Sequence, residues 1–126
     1  MKAEQEKLAA ELQRVPLEML RAEIMRRGRG IPAEALAVIH AVADAFGLAP
    51  ELLFYMNGRP DWITKPRQAA MVLMRRAGLG WQVIADVFQV NHSTCIYAAN
   101  TQKERMNERG YQAKFKEAEA VLLAFS

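Results

Sequence analysis

Residues 81–103 read WQVIADVFQVNHSTCIYAANTQK, and this stretch decides the fold of the chain. Apolar residues recur at helical spacing in its first half, and again in its second half from Cys95 onward. Gln89, Val90 and Asn91 separate the halves, and asparagine is a good N-cap for the helix that follows. We therefore predict two helices joined by a three-residue turn, which is a helix-turn-helix.

The first turn of the second predicted helix is polar. His92, Ser93 and Thr94 follow Asn91 directly, and helical spacing directs them away from the apolar face. In a helix-turn-helix, the exposed first turn of the second helix is the part that enters the major groove of DNA. These residues are therefore candidate DNA contacts, and Tyr97, one turn further along, is another.

The rest of the chain also carries apolar residues with a period near 3.6. No stretch alternates as a strand does, so the sequence predicts an all-α, multi-helix protein. The predicted helices in this part span residues 32–46, 50–54, 66–78 and 111–125. Residues 55–65 are predicted to form a loop that exposes Lys65, with Pro66 in the first turn of the next helix. His40 is expected to be a buried or half-buried structural histidine.

The chain divides into two predicted parts. Residues 1–29 are expected to form a helical arm, and residues 30–126 a helix-turn-helix domain with an added C-terminal helix. In the arm, the helix at 16–27, which begins with Pro16, either folds onto the domain or binds a partner or a second copy. The amphipathic stripe at 111–125 is expected to pack on the domain, with a role in dimerisation as the alternative.

Basic residues surround the predicted helix-turn-helix, although the net charge of the 126-residue chain is only +3. Between positions 62 and 103 the one acid is Asp86, against five basic residues. The five are Lys65, Arg67, Arg75, Arg76 and Lys103. We expect the three arginines to face solvent, and Arg75, Arg76 and Lys103 to contact phosphates. The positive electrostatic potential of this segment would attract a polyanion, although an ordinary solvated surface could have the same composition.

Several functional classes lack the residues that they need. A single cysteine, Cys95, cannot form an intrachain disulfide and fits a reducing compartment. No apolar run is long enough to span a bilayer, and the N-terminus lacks a signal-peptide core, so a cytoplasmic protein is predicted. Two histidines and one cysteine cannot build a zinc site. There is no phosphate-binding glycine loop and no nucleophile with a base. We expect no enzyme, catalytic residue, metal or cofactor.

Three stretches carry a family resemblance. Residues 36–54 read LAVIHAVADAFGLAPELLF, residues 65–71 read KPRQAAM, and residues 84–98 read IADVFQVNHSTCIYA. In this order and spacing they resemble the C-terminal DNA-binding domain of the bacterial replication initiator DnaA, an all-helical, Trp-repressor-like domain. The resemblance implies a sequence-preferring protein that binds double-stranded DNA and regulates transcription or replication initiation. Whether its origin is chromosomal or phage-linked stays open.

The resemblance also implies roles for single residues. The stretch from Asn91 to Thr94 matches the family's base-reading D-H-[ST]-[ST], and Lys65 matches an arginine that reaches into the minor groove. Arg67 and Gln68 match the R-Q of its P-R-Q segment. The predicted DNA-binding residues are Lys65, Arg67, Gln68, Arg75, Asn91, His92, Ser93, Thr94, Tyr97 and Lys103. Gln89-Val90 is one residue shorter than the family's Gly-Gly-Arg, which leaves the target sequence open.

A second hypothesis places the function elsewhere. The chain contains no ATPase domain, so the resemblance predicts a stand-alone relative of the DNA-binding module. In the alternative reading, the chain is a protein-interaction module or accessory subunit. Its partners would then bind the helices at 16–27 and 111–125, and DNA binding would be vestigial.

Overall fold

The computed structural model describes residues 31–54 and 61–124, and within them every regular element is helical. The elements are α1 (Ala33–Phe46), a 3₁₀ turn (Pro50–Phe54), α2 (Asp61–Arg76), α3 (Trp81–Phe88), α4 (His92–Arg105) and α5 (Arg109–Ala124). The predicted all-α fold is confirmed. The predicted arm at residues 1–29 lies outside the described residues. No described helix is both long enough and apolar enough to cross a membrane.

Helix α2 is the centre of this arrangement, because it contacts all four other helices. Its buried positions run from Trp62 to Met74. The prediction that residues up to Lys65 form a loop and that Pro66 opens the helix is wrong, since α2 begins at Asp61. A proline inside a helix cannot donate to the carbonyl four residues earlier. Burial of Trp62 and Ile63, which are 8% and 1% exposed, offsets that loss.

Three helices end with a residue in the left-handed conformation. Gly47 closes α1 at φ 69°, as predicted, and Gly78 follows α2 at φ 98°. Gln89 closes α3 at φ 52°, and the next N–H, that of Val90, donates to the carbonyl of Ala85 at 3.0 Å. The same pattern recurs after α1 and α2. Glycine adopts this conformation without steric penalty, whereas a residue with a side chain loses about 1–2 kcal/mol.

Helix α5 packs mainly against α1 and completes the core. Tyr111 and Phe115 are buried with ring centroids 5.9 Å apart, and Phe46 of α1 meets Tyr111 edge-on. The Tyr111 hydroxyl donates to Oε1 of buried Gln102 in α4 at 2.7 Å. Burial raises the pKa of Tyr111 well above its ordinary value. The prediction that this stripe packs on the domain is confirmed, although the helix begins at Arg109, two residues earlier than predicted.

One further expectation in α1 is wrong. His40 is exposed, whereas its neighbours Ile39, Ala41 and Val42 are buried. The apolar side of α1 is wide, and the sequence pattern alone placed His40 within it. The tertiary packing leaves that position in solvent, so His40 is a surface residue without a place in the core.

Candidate nucleic-acid interface

Helices α3 and α4, joined by residues 89–91, form the predicted helix-turn-helix. Helix α3 buries an apolar face that includes Ile84 and Phe88. Helix α4 buries Cys95, Ala98 and Gln102, which lie at helical spacing on one side. Burial raises the pKa of the Cys95 thiol, so that this side chain is a neutral part of the core. The buried sides of α3 and α4 therefore hold the helix-turn-helix in place, and the opposite side of α4 faces solvent.

Asn91 occupies the N-cap position of α4 but does not cap it with its side chain. Its backbone is extended, at φ −69° and ψ 145°, and its carbonyl accepts the N–H of Thr94 at 2.9 Å. The predicted capping hydrogen bond is absent. The exposed amide of Asn91 therefore lies at the start of α4 without serving the helix terminus, and it keeps its donor and acceptor for other partners.

The outward side of α4 carries most of the predicted base-reading residues. His92, Ser93 and Thr94 are all exposed, and no acidic residue lies in the first turn of this helix. Tyr97 is 59% exposed. Asn100 is exposed on the same line, three residues after Tyr97. Sequence reasoning missed Asn100, although its spacing from Ser93 could have identified it.

A cleft of about 400 Å³ separates α2 from the turn and the start of α4. Thr64, Arg67, Gln68 and Met71 line it from α2, and Gln89, Val90, Asn91 and Thr94 line it from the other side. The structure therefore brings four predicted DNA-binding residues together around one opening. They are Arg67, Gln68, Asn91 and Thr94. Among the residues that the structure describes, no acidic side chain lines the cleft.

Arg67 is at the wall of this cleft, but it is not the surface arginine that the sequence predicted. It is only 9% exposed, and its guanidinium carbon lies 5.6 Å from the centroid of the Phe88 ring. Its positive charge partly offsets the effect of burial on the pKa of Cys95. The expectation that Arg67 faces solvent is therefore wrong. The contact between the Arg67 guanidinium and the Phe88 ring links α2 to α3, and the same side chain lines the cleft.

Lys65 belongs to α2 rather than to a loop, and its ammonium is engaged. Its Nζ lies 2.8 Å from Oε2 of Glu108, and the other Glu108 oxygen accepts Nη1 of Arg105 at 3.4 Å. Arg105 also donates from Nε to Oε1 of Gln68 at 3.1 Å. The hydrogen bond from Lys65 is the main reason that the pKa of Glu108 is lowered. These four side chains tie α2 to the end of α4.

The remaining predicted phosphate contacts lie away from the cleft. Arg75 is exposed at the end of α2, with its guanidinium 4.6 Å from the Trp81 ring centroid and Nη1 donating to the Leu79 carbonyl. Lys103 is exposed in the last turn of α4. Arg76, also exposed, pairs with Glu119 of α5. The basic residues therefore flank the helix-turn-helix at several points and do not form one cluster.

This arrangement can be compared with known families. The family model described as the bacterial dnaA protein helix-turn-helix matches residues 36–101, which is more than half of the chain. The chain belongs to this family. The matched region runs from α1 into α4 and contains both sides of the cleft. Membership in the DnaA helix-turn-helix family indicates DNA binding.

Curated relatives agree with the DnaA assignment. They include chromosomal replication initiator proteins named DnaA 1, from Chlamydia trachomatis and Chlamydia muridarum, and one named DnaA 2, from Chlamydia caviae. Each is 26% identical to this chain over 93 to 95 residues. These alignments cover 73% to 75% of this chain but 20% of each relative, so the chain spans about a fifth of their length. No solved structure matches the chain significantly.

The geometry gives information about possible metal ligands and about single residues that the DnaA family match does not give. Among residues 31–54 and 61–124, no group of three or more histidine, cysteine or acidic side chains could hold a metal ion. The match does not assign any residue to a groove of DNA. What the geometry adds is that the residues of the α4 first turn and two residues of α2 border the same opening.

Proposed function

We propose that this chain binds double-stranded DNA with sequence preference and acts as a regulator of replication or transcription. The observation that carries the proposal is the exposed, acid-free first turn of α4, His92-Ser93-Thr94, on a helix whose opposite side is fully buried at Cys95 and Ala98. The family and the replication initiators among its relatives support the same conclusion.

In this proposal the N-terminal turn of α4 enters the major groove. The free N–H groups and positive dipole end of a helix favour the approach of phosphates. The hydroxyls of Ser93 and Thr94 can bond to base edges, the Thr94 methyl can contact a thymine methyl, and His92 can donate or accept. Asn91 adds an amide that can pair with adenine and is not used for capping. These side chains are the proposed base readers.

Basic residues around the unit then position the duplex without reading it. Arg67 and Gln68 line the cleft beside the first turn of α4, while Arg75 and Lys103 are exposed on either side. A minor-groove role for Lys65 requires its ammonium to exchange Glu108 for DNA. The position of Lys65 on α2 rather than on a loop makes a phosphate contact the simpler role for it.

Selection of bound duplexes from a random library tests the proposal directly. We expect an enriched sequence, and we expect His92→Ala and Thr94→Ala to weaken binding to it by roughly tenfold, since one good base contact contributes about 1–3 kcal/mol of discrimination. Both variants should bind random duplex as the wild type does. Lys103→Ala is the matched comparison, because the loss of a phosphate contact should weaken binding to both duplexes alike.

The outcome that contradicts the base-reading proposal is equally clear. If His92→Ala, Thr94→Ala and Lys103→Ala all lost the same fraction of affinity on every sequence, α4 would not read bases. If wild-type protein at micromolar concentration did not shift random duplex at low salt, double-stranded DNA would not be the ligand at all.

A second candidate function rests on the end of α5. Leu123 is 68% exposed near the end of this helix, where its apolar side chain would contact a partner. In this alternative the chain is a protein-interaction module or forms a homodimer through this helix. The mass of the protein in solution, measured with wild type and with Leu123→Glu, distinguishes the readings. A dimer that the substitution dissociates would favour the second candidate.

A further inference from the structure

Arg75 and Arg76, which are adjacent at the end of α2, have different partners. The guanidinium carbon of Arg75 lies 4.6 Å from the centroid of the Trp81 ring. Arg76 lies over the Phe115 ring, at 5.1 Å, and also pairs with the carboxylate of Glu119. Within the part of the chain that the structure describes, no carboxylate pairs with Arg75. The charge of Arg75 is therefore held in place without being neutralised.

A backbone contact also restrains the Arg75 side chain. Its Nη1 donates to the carbonyl of Leu79 at 3.3 Å. Leu79 is itself held by the turn that ends α2, because its N–H donates to the carbonyl of Met74 at 3.1 Å. Trp81 is the first residue of α3 and directly follows the N-cap Gly80. Two contacts, one to a ring and one to a carbonyl, thus hold the guanidinium beside the start of α3.

The chemistry of these two contacts leaves Arg75 able to bind an anion. A guanidinium has five N–H donors in one plane, and the Leu79 carbonyl accepts from one of its nitrogens. The Trp81 ring attracts the positive charge without being a hydrogen-bond acceptor of the usual kind. Paired N–H groups of a guanidinium match two oxygens of a phosphate. Arg75 is exposed, so a phosphate of the DNA backbone can reach it.

The ring also reduces the entropy that binding would cost. A free arginine side chain loses rotamer freedom when it binds a phosphate. Because the contact with Trp81 already restricts the Arg75 side chain, less of that freedom is lost on binding. The first turn of α3 contains no acidic residue, and the positive dipole end of this helix favours a phosphate at the same place.

We propose that Trp81 is a positioning residue, which holds the guanidinium of Arg75 in place for contact with a phosphate of the DNA backbone. This inference rests on the proposed DNA-binding function and deepens it. The start of α3 then fixes the duplex against the helix-turn-helix, while the first turn of α4 reads bases. A phosphate contact carries no sequence information, so the pair acts on random and selected duplexes alike.

A double-mutant cycle on random duplex tests the pairing of Trp81 with Arg75. Trp81→Leu removes the ring without changing the charge, so it should weaken binding about two- to fivefold with little change in the salt dependence. Arg75→Ala should weaken binding further and reduce the slope of log affinity against log salt by about one. In the Arg75→Ala background, Trp81→Leu should have no additional effect. Fluorescence anisotropy at several salt concentrations measures all four proteins.

Two further variants are controls for this cycle. Trp81→Tyr keeps an aromatic face, so it should retain most of the wild-type affinity. Lys116→Ala removes one positive charge at an exposed site on α5, so it should weaken binding less than Arg75→Ala does. Circular dichroism checks that each variant is helical under the assay conditions. If Trp81→Leu is unfolded, Trp81→Met replaces it in the cycle.

The results that overturn this inference differ from those that overturn the function on which it rests. If wild type did not shift random duplex at low salt, DNA binding itself would fail. If wild type bound and Arg75→Ala lost no more affinity than Lys116→Ala, Arg75 would not contact a phosphate. If Trp81→Leu had no effect, or weakened binding equally in both backgrounds, Trp81 would not act through Arg75. In the last two cases the inference would be wrong, while the proposed function would stand.

Discussion

At the scale of single residues, Glu108 pairs with two of the basic residues that lie beside the helix-turn-helix. Its carboxylate accepts Lys65 and Arg105, both of which are partly exposed, with side-chain exposures of 27% and 25%. A DNA phosphate must compete with Glu108 for these cations. Pairs this exposed contribute little to stability, so the exchange requires little free energy.

The first prediction follows from that competition. Glu108→Gln should raise the affinity for random duplex about two- to fivefold and steepen its dependence on salt, because Lys65 becomes available to phosphates. Fluorescence anisotropy at several salt concentrations measures both quantities. Glu117→Gln, which makes the same charge change at an exposed site on α5, is the control. Equal increases for the two variants would mean that only net charge matters.

The second prediction concerns the buried pair of Tyr111 and Gln102. Burial raises the pKa of Tyr111 above that of an unfolded tyrosine, about 10. Because the folded state favours the protonated phenol, the contribution of Tyr111 to stability is fully present below about pH 10 and is lost as the pH rises above that value. Cys95 has a raised pKa as well, so its contribution declines in the same direction. Stability should therefore fall at alkaline pH.

Tyr111→Phe tests this assignment. It should reduce stability at pH 7 by about 1–2 kcal/mol, because buried Gln102 loses its donor. It should also make the alkaline decline less steep. Urea denaturation at a series of pH values measures both effects. Tyr97→Phe changes an exposed tyrosine and should leave the decline as it is; a similar change in both variants would show that Tyr111 is not responsible.

Some residue-level features could not be predicted from the sequence. The positive charge of Arg67 indicates an exposed side chain. Its guanidinium instead lies on the ring of Phe88, which belongs to another helix. Lys65 was predicted to be exposed because it was placed on a loop, yet it lies on α2 and its partner Glu108 is far along the chain. Sequence patterns are local, whereas each of these contacts depends on how α2 meets its neighbours.

At the scale of elements, helix ends were predictable where a local signal exists and tertiary packing does not oppose it. Gly47 ends α1 as its sequence position indicates, because glycine adopts the left-handed conformation freely. At the start of α2, by contrast, tertiary packing overrides the local signal. Pro66 is a strong local start signal, but the burial of Trp62 and Ile63 extends the helix to Asp61.

A pair of glycine substitutions gives the third prediction. Gly47→Ala should destabilise the protein by about 1–2 kcal/mol through its backbone alone, because a Cβ there meets no atom within 4 Å but φ is 69°. Gly110→Ala in α5 has equal space and no positive φ, so it should stabilise the protein by about 0.5 kcal/mol. Thermal unfolding of both variants measures this difference in sign. Destabilisation of the same size by both variants would mean that the positive φ of Gly47 is not the cause of its cost.

At the scale of the whole molecule, the helix-turn-helix and the α1–α5 layer share α2. The described residues between 32 and 124 belong to one compact unit. Because α2 is buried along most of its length, loss of packing by the helix-turn-helix or by the α1–α5 pair would expose apolar residues of α2. The packing of the other layer on α2 would then be disturbed as well. The surface that is proposed to read DNA therefore depends on residues on the far side of the domain.

Phe115 provides the fourth prediction. It is 1% exposed in α5, and Phe115→Ala should destabilise the protein by about 3–5 kcal/mol. Unfolding followed by helical circular dichroism and by the fluorescence of Trp62 and Trp81 should remain a single coincident transition. Val121→Ala, at an exposed site on the same helix, should change stability by less than about 0.5 kcal/mol. Separate transitions for the two signals would show that α5 unfolds alone.

The sequence by itself determined the helical class, the helix-turn-helix, the exposed turn from His92 to Thr94 and the family. These follow from helical periodicity and from short motifs, which act over one or two turns of chain. Only the tertiary structure decided that Arg67 and Gln68 face Asn91 and Thr94 across one cleft, that Glu108 holds Lys65, and that Gln89 is strained beside the proposed base readers. Those relations depend on how α2 packs against α3 and α4, and packing between distant segments leaves no local pattern.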